Sequence, residues 1–176
     1  MSSIVVYFSR PGSNWVQDGV RDLKIGNCAI LAEYVQKQTK SDIFRIQTIH
    51  TYTDDYYKAT EEAKAELANN ARPTLISYPE TIEKYDIIYL IYPIWWSTCP
   101  MAIFSFLEHY NFTNKTIIPL CTHEGSGIAN SVNDIQKNVT SAKIKPAYEV
   151  FGYKCQELNN DAKLQQDIKN FLQETK

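Results

Sequence analysis

Two adjacent tryptophans, Trp95 and Trp96, lie in the segment Tyr92-Pro93-Ile94-Trp95-Trp96-Ser97-Thr98-Cys99-Pro100, between an apolar strand-like run and a helix-like one. Neighbouring side chains on a turn diverge, so one core does not readily take both rings. A flat, half-polar ligand accounts for the pair. Indole faces stack on such a guest, and loop N–H groups meet its polar edge. The blander alternative makes both tryptophans hydrophobic plugs; we read at least one of them as stacking.

A second group runs from Ser9-Arg10-Pro11-Gly12-Ser13-Asn14 to Gly26-Asn27-Cys28. Hydroxyls, glycines and a helix start suit a phosphate monoester, because backbone N–H groups point at it and the helix dipole favours its charge. Taken singly, Asn27 is an N-cap and Gly12 a turn glycine. The length of the connection favours the ligand reading, since structureless connections beyond about 12–15 residues are uncommon and often functional.

The third group is Thr122-His123-Glu124-Gly125-Ser126-Gly127, whose small residues permit close backbone approach. His123-Glu124 raises the possibility of a metal site or an acid/base pair, but no second ligand stands at metal spacing. Gly125-Ser126-Gly127 is not a G-x-S-x-G elbow, and Cys121 has no arginine at phosphatase-loop distance. Loop polarity accounts for His123, and His50 and His109 read as surface residues. Tyr52, Tyr56 and Tyr57 can approach a ligand, though packing explains them equally well.

These groups need a scaffold that brings them together. Ile4 to Ser9 is an apolar run suited to a parallel strand buried on both faces. Asn27 is expected to cap a helix with Ile30, Leu31, Tyr34 and Val35 on one face. Ile43 to Ile49 reads as a mixed edge strand, and Thr53-Asp54-Asp55 opens a charged helix to about Asn70, ended by Arg72-Pro73. Tyr85 to Tyr92 is the most apolar strand and is placed centrally. Pro100 suits the first turn of a helix through Tyr110. Thr116 to Cys121 is a buried strand, and Ile128, Val132, Ile135 and Val139 mark a helix. Ile144 to Val150 is a last strand, put at an edge by Pro146, and Asn160 to Gln173 a closing helix. Strand and helix alternate five times, which predicts a three-layer α/β/α protein with a five-stranded parallel sheet in the order 2-1-3-4-5. The three groups then meet beyond the carboxyl ends of the strands, where such sheets hold ligands.

The totals agree with one domain over 1–176: the chain is 44% hydrophobic and 22% charged. A net charge of −2 gives no field to recruit nucleic acid or an acidic membrane. The four cysteines form no C-x-x-C pair and read as reduced thiols of a cytoplasmic protein. No secretory leader is expected from Met1-Ser2-Ser3. Ile87 to Leu107 carries no charge, but Pro93 and Pro100 break it, so a strand, a turn and a buried helix are expected there rather than a membrane span.

The chain resembles the flavodoxin-like FMN proteins of the bacterial group with an enlarged first loop. The resemblance rests on Val6-Tyr7-Phe8-Ser9-Arg10, Gly26-Asn27, Asn70-Ala71-Arg72-Pro73, Tyr92-Pro93-Ile94-Trp95-Trp96 with Pro100-Met101, and Cys121 to Gly127. It implies a non-covalent FMN. Ser9, Asn27 and Cys28 would hold the phosphate, with Arg10 close by. Pro93, Ile94, Trp95, Trp96, Ser97 and Thr98 would contact the isoalloxazine. Thr122, His123, Glu124, Gly125 and Gly127 would close over its other side. In short-loop relatives the phosphate motif reads roughly Ser-x-Thr-Gly-Asn-Thr; here an insertion separates Ser9 from Gly26, and Cys28 stands where a threonine is usual. The other alignment, with Ser9 to Asn14 on the motif, would put Gly19 and Gly26 inside the first helix.

The implied activity is electron transfer from NAD(P)H or a reductase to a quinone-like or protein acceptor. A pure electron carrier is the first alternative, and a non-redox binding module that has lost FMN the second. The oligomeric state is left open.

Overall fold

The computed structural model describes residues 1–175. In chain order it contains β1 (Ser3–Phe8), β2 (Gly12–Val16), β3 (Gly19–Leu23), α1 (Asn27–Thr39), β4 (Asp42–Ile46), α2 (Tyr56–Ala68), β5 (Ile87–Pro93) and α3 (Met101–His109). There follow β6 (Thr116–His123), α4 (Ser131–Asn138), β7 (Lys143–Ile144), β8 (Tyr148–Phe151), α5 (Gly152–Cys155) and α6 (Ala162–Glu174).

Period-two side chains divide the molecule into layers. Ile4, Val6 and Phe8 of β1 join Ile88, Leu90 and Tyr92 of β5 on one face, packed with Ile103 and Phe106 of α3 and Ile135 of α4. Val5 of β1 joins Ile87, Tyr89 and Ile91 on the other, packed with Leu31 and Val35 of α1 and Leu164, Ile168 and Leu172 of α6. A strand buried on both faces has no polar positions to spare, which is why β5 reads as an unbroken apolar run.

The main sheet runs β4-β1-β5-β6, with β7 and β8 both on the far side of β6, and every pairing in it is parallel. Counting β7 and β8 as one interrupted strand gives the expected order 2-1-3-4-5. The interruption falls at Lys145-Pro146-Ala147, where proline has no N–H for a ladder. β7 pairs with Thr116 and Ile117, and β8 with Leu120 to His123.

Three local expectations are corrected. The connection after Ser9 is not structureless: β2 and β3 form an antiparallel hairpin joined by Gln17 and Asp18. Asn27 is the first helical residue of α1 rather than its N-cap. Gly26 holds that place, with no side-chain cap of its own. The capping bond comes from another element, since Ser9 Oγ accepts the Ala29 N–H at 3.1 Å. Glycine is required there because a Cβ on Gly26 would collide with Ser9 Oγ and come within 2.6 Å of the Arg10 carbonyl oxygen. Finally, the helix marked by Ile128 begins later, at Ser131, leaving Ile128 in an exposed turn. Among the described residues no helix is long and apolar enough to cross a membrane.

Candidate functional site

A cleft of about 610 Å³ opens where the carboxyl ends of β1, β5 and β6 meet α1 and α2. This size falls within the range of small-molecule sites, about 300–1,000 Å³. Its location is the switch point of the sheet, because β1 sends its chain to one side and β5 to the other.

Nine of the fifteen residues singled out from sequence line it: Arg10, Asn27, Pro93, Ile94, Trp95, Trp96, Thr122, His123 and Glu124. The remaining six, Ser9, Cys28, Ser97, Thr98, Gly125 and Gly127, act from behind the walls or lie beyond them. Ser9 positions α1 through the Ala29 bond. The Cys28 side chain turns into the core, 2% exposed, and shares a 3.2 Å hydrogen bond with Thr122 Oγ1. Burial pushes its thiol far above the ordinary cysteine range, so it stays protonated in the core, outside the cleft lining; the backbone N–H groups of Asn27 and Cys28 have no partner among the described residues.

The tryptophans divide their roles. Trp95 is half-buried and packs edge-on against Phe8 and Tyr52, with centroids 5.3 and 5.2 Å away. Trp96 stands on the rim, 46% exposed. Trp95 and Thr98 exchange backbone hydrogen bonds of 2.9 and 3.1 Å around a two-residue turn. Its central residues, Trp96 and Ser97, have φ of +48° and +66°. Such turns favour glycine and asparagine, and each bulkier residue there stores about 1–3 kcal/mol. Surrounding bonds hold the turn in place. Trp96 Nε1 donates to the Thr60 carbonyl at 2.8 Å, the Asn130 N–H donates to the Ser97 carbonyl at 2.9 Å, and Thr98 Oγ1 donates to Asp134 at 2.8 Å. Lys64 lies over the indole at 5.2 Å.

The hairpin supplies a wall that the sequence did not reveal. Asn14 and Trp15 of β2 line the cleft with Tyr56 and Tyr57 of α2, and Trp15 lies 6.1 Å from Tyr56. Arg10 ties the hairpin down, donating to the carbonyl oxygens of Ser13 and Thr53. Glu124, just after β6, does the same: one carboxylate oxygen accepts the Gln17 N–H at 3.1 Å, the other the Tyr153 N–H at 3.0 Å. Burial raises the Glu124 pKa, and these two N–H groups oppose the rise.

Ala59, Thr60 and Ala63 bring α2 against the cleft, and Gly152 completes the lining. The signal for α2 was available, as Ala59 and Ala63 are small residues four apart on one helical face. Trp15 carried a weaker one, being a bulky aromatic in a segment otherwise read as loop.

A doubly wound parallel sheet with a ligand-sized cleft at its switch point defines a flavodoxin-like α/β protein. The chain belongs to the flavodoxin family, whose sequence profile matches residues 3–174. No curated protein matches it in sequence. Among solved structures, a protein assigned as a flavoprotein from Bacteroides uniformis is 26% identical, with a TM-score of 0.74, over 96% of this chain and 97% of that one. Another so assigned, from Bacteroides eggerthii, is 25% identical with a TM-score of 0.71, over 90% and 96%. A flavoprotein from Lactobacillus acidophilus in complex with FMN is 14% identical with a TM-score of 0.64, over 90% and 97%, a likeness of fold alone.

Proposed function

We propose that residues 1–176 act as one domain that binds FMN non-covalently in this cleft and passes electrons from NAD(P)H or a reductase to a quinone-like or protein acceptor. The observation that carries this reading is the continuity of the cleft from the α1 N-terminus, at Asn27, to the aromatic rim at Trp96.

The residues present fit FMN. A phosphate suits the unpartnered N–H groups of Asn27 and Cys28, with the Arg10 charge nearby and the helix dipole favourably directed. An isoalloxazine suits the flat apolar walls of Pro93, Ile94 and Trp96, and family membership supports the same ligand. FMN when bound supplies one- and two-electron chemistry. Trp96 offers a stacking face, Thr122 and His123 a polar flank, and the hairpin with Trp15 shields one side from water. That extra wall, together with the aromatic rim of Trp15, Tyr57 and Trp96, favours a small planar acceptor over a bare carrier surface. We place the protein in the cytoplasm, where its four free, buried cysteines stay reduced.

The test is to purify the protein, record its absorption spectrum and identify any bound ligand by mass. FMN-loaded protein is expected to consume NAD(P)H steadily when a quinone is supplied. Fast single-electron exchange with a ferredoxin reductase, without turnover, would make it a carrier instead. A colourless protein that refuses added FMN would overturn the proposal.

A further inference from the structure

His123 is held in a way that ordinary loop polarity does not require. It ends β6, lines the cleft and is 8% exposed. Its Nδ1 accepts the Gly125 N–H at 2.9 Å. That bond depends on Gly125 standing at φ +124°, a conformation glycine adopts without strain. With Nδ1 occupied as an acceptor, the neutral ring carries its proton on Nε2. Nε2 has no partner among the described residues, and it is not sealed within the protein. Phe151 packs against the ring at 4.7 Å, and the cleft is the cavity that His123 lines.

We propose that His123 is a fixed, neutral hydrogen-bond donor whose Nε2–H recognises a conjugated carbonyl oxygen of the planar ligand in the cleft. This rests on the proposed redox function and assigns His123 a specific part in it. The carbonyl belongs either to the flavin itself or to a quinone acceptor. A protonated imidazole fits the site poorly, because a second N–H on Nδ1 would face the Gly125 N–H. Burial also lowers the His123 pKa, against the opposing pull of Glu149 on β8. A neutral N–H polarises a carbonyl without surrendering its proton, so the ring serves binding and orientation.

Nitrogen-15 NMR of the imidazoles in the full chain tests this, first alone, then with FMN, then with 1,4-naphthoquinone. The Nε2–H tautomer is expected throughout, with its proton moving downfield on ligand addition. Movement with FMN assigns the flavin as the source; movement only with naphthoquinone assigns the acceptor. An Nδ1–H tautomer, or an Nε2 proton that neither ligand moves, overturns the proposal. His123→Phe is expected to weaken FMN affinity, or raise the KM for naphthoquinone, by about three- to tenfold, the size of one hydrogen bond. His123→Gln, which keeps an N–H donor, should recover part of that loss. Two variants that bind both ligands like the parent would also overturn it, and if neither variant folds the NMR of the parent decides. Should FMN fail to bind while naphthoquinone moves the Nε2 proton, the FMN reading falls and the role of His123 stands.

Discussion

Ser97 shows what single residues contribute to this site. Its φ of +66° forces the turn that sets Trp96 on the rim, yet its side chain is exposed. Ser97→Gly keeps the carbonyl that accepts the Asn130 N–H and relieves the left-handed strain. We expect the variant to be more stable by about 0.5–2 kcal/mol in urea unfolding, the strain relieved less the extra chain entropy that glycine brings. A loss of stability would mean that the turn is unstrained. The divergence of Trp95 and Trp96 was legible in sequence, because adjacent side chains cannot share a direction. Which of them would pack into the core was not, since that depends on the sign of φ at two residues that do not normally take it. The direction of the Cys28 side chain was not legible for a related reason. Spacing gives its place at the α1 start, but the inward turn of its thiol toward Thr122 is decided by tertiary packing.

The β2–β3 hairpin is the element hidden most thoroughly. Ser13, Asn14, Arg21 and Asp22 interrupt its apolar residues Trp15, Val20 and Leu23, and a lone two-stranded hairpin is marginal in water. Hydrogen bonds involving Arg10, Asn14 and Glu124 anchor it alongside the Trp15–Tyr56 contact; Arg10 and Glu124 lie outside the hairpin, and Glu124 is over a hundred positions away in the chain. Glu124→Ala removes the acceptor for the Gln17 N–H. Hydrogen exchange at the Gln17 amide should accelerate by about two- to tenfold, the equivalent of one net hydrogen bond, while exchange in β5 stays unchanged. An unaltered Gln17 rate would show that the hairpin is held without this carboxylate.

For the whole molecule, five alternations of strand and helix left few topologies, and right-handed crossovers selected the observed order. β5 was placed centrally from its apolar run, and it does lie between β1 and β6. The convergence of three chain segments at one rim was therefore legible, because a doubly wound sheet gathers its strand ends there. The walls from β2 and α2 were less so, as they depend on how elements pack rather than on where strands end. The proposal that joins fold and function is that this rim holds FMN with Trp96 beside the ring. Titration of FMN into ligand-free protein, followed by flavin fluorescence, tests this most directly. We predict saturable quenching at one FMN per chain, with affinity markedly weakened in Trp96→Ala and little changed in His109→Ala. Fluorescence unaltered by the protein, or equal affinity in the two variants, would contradict it.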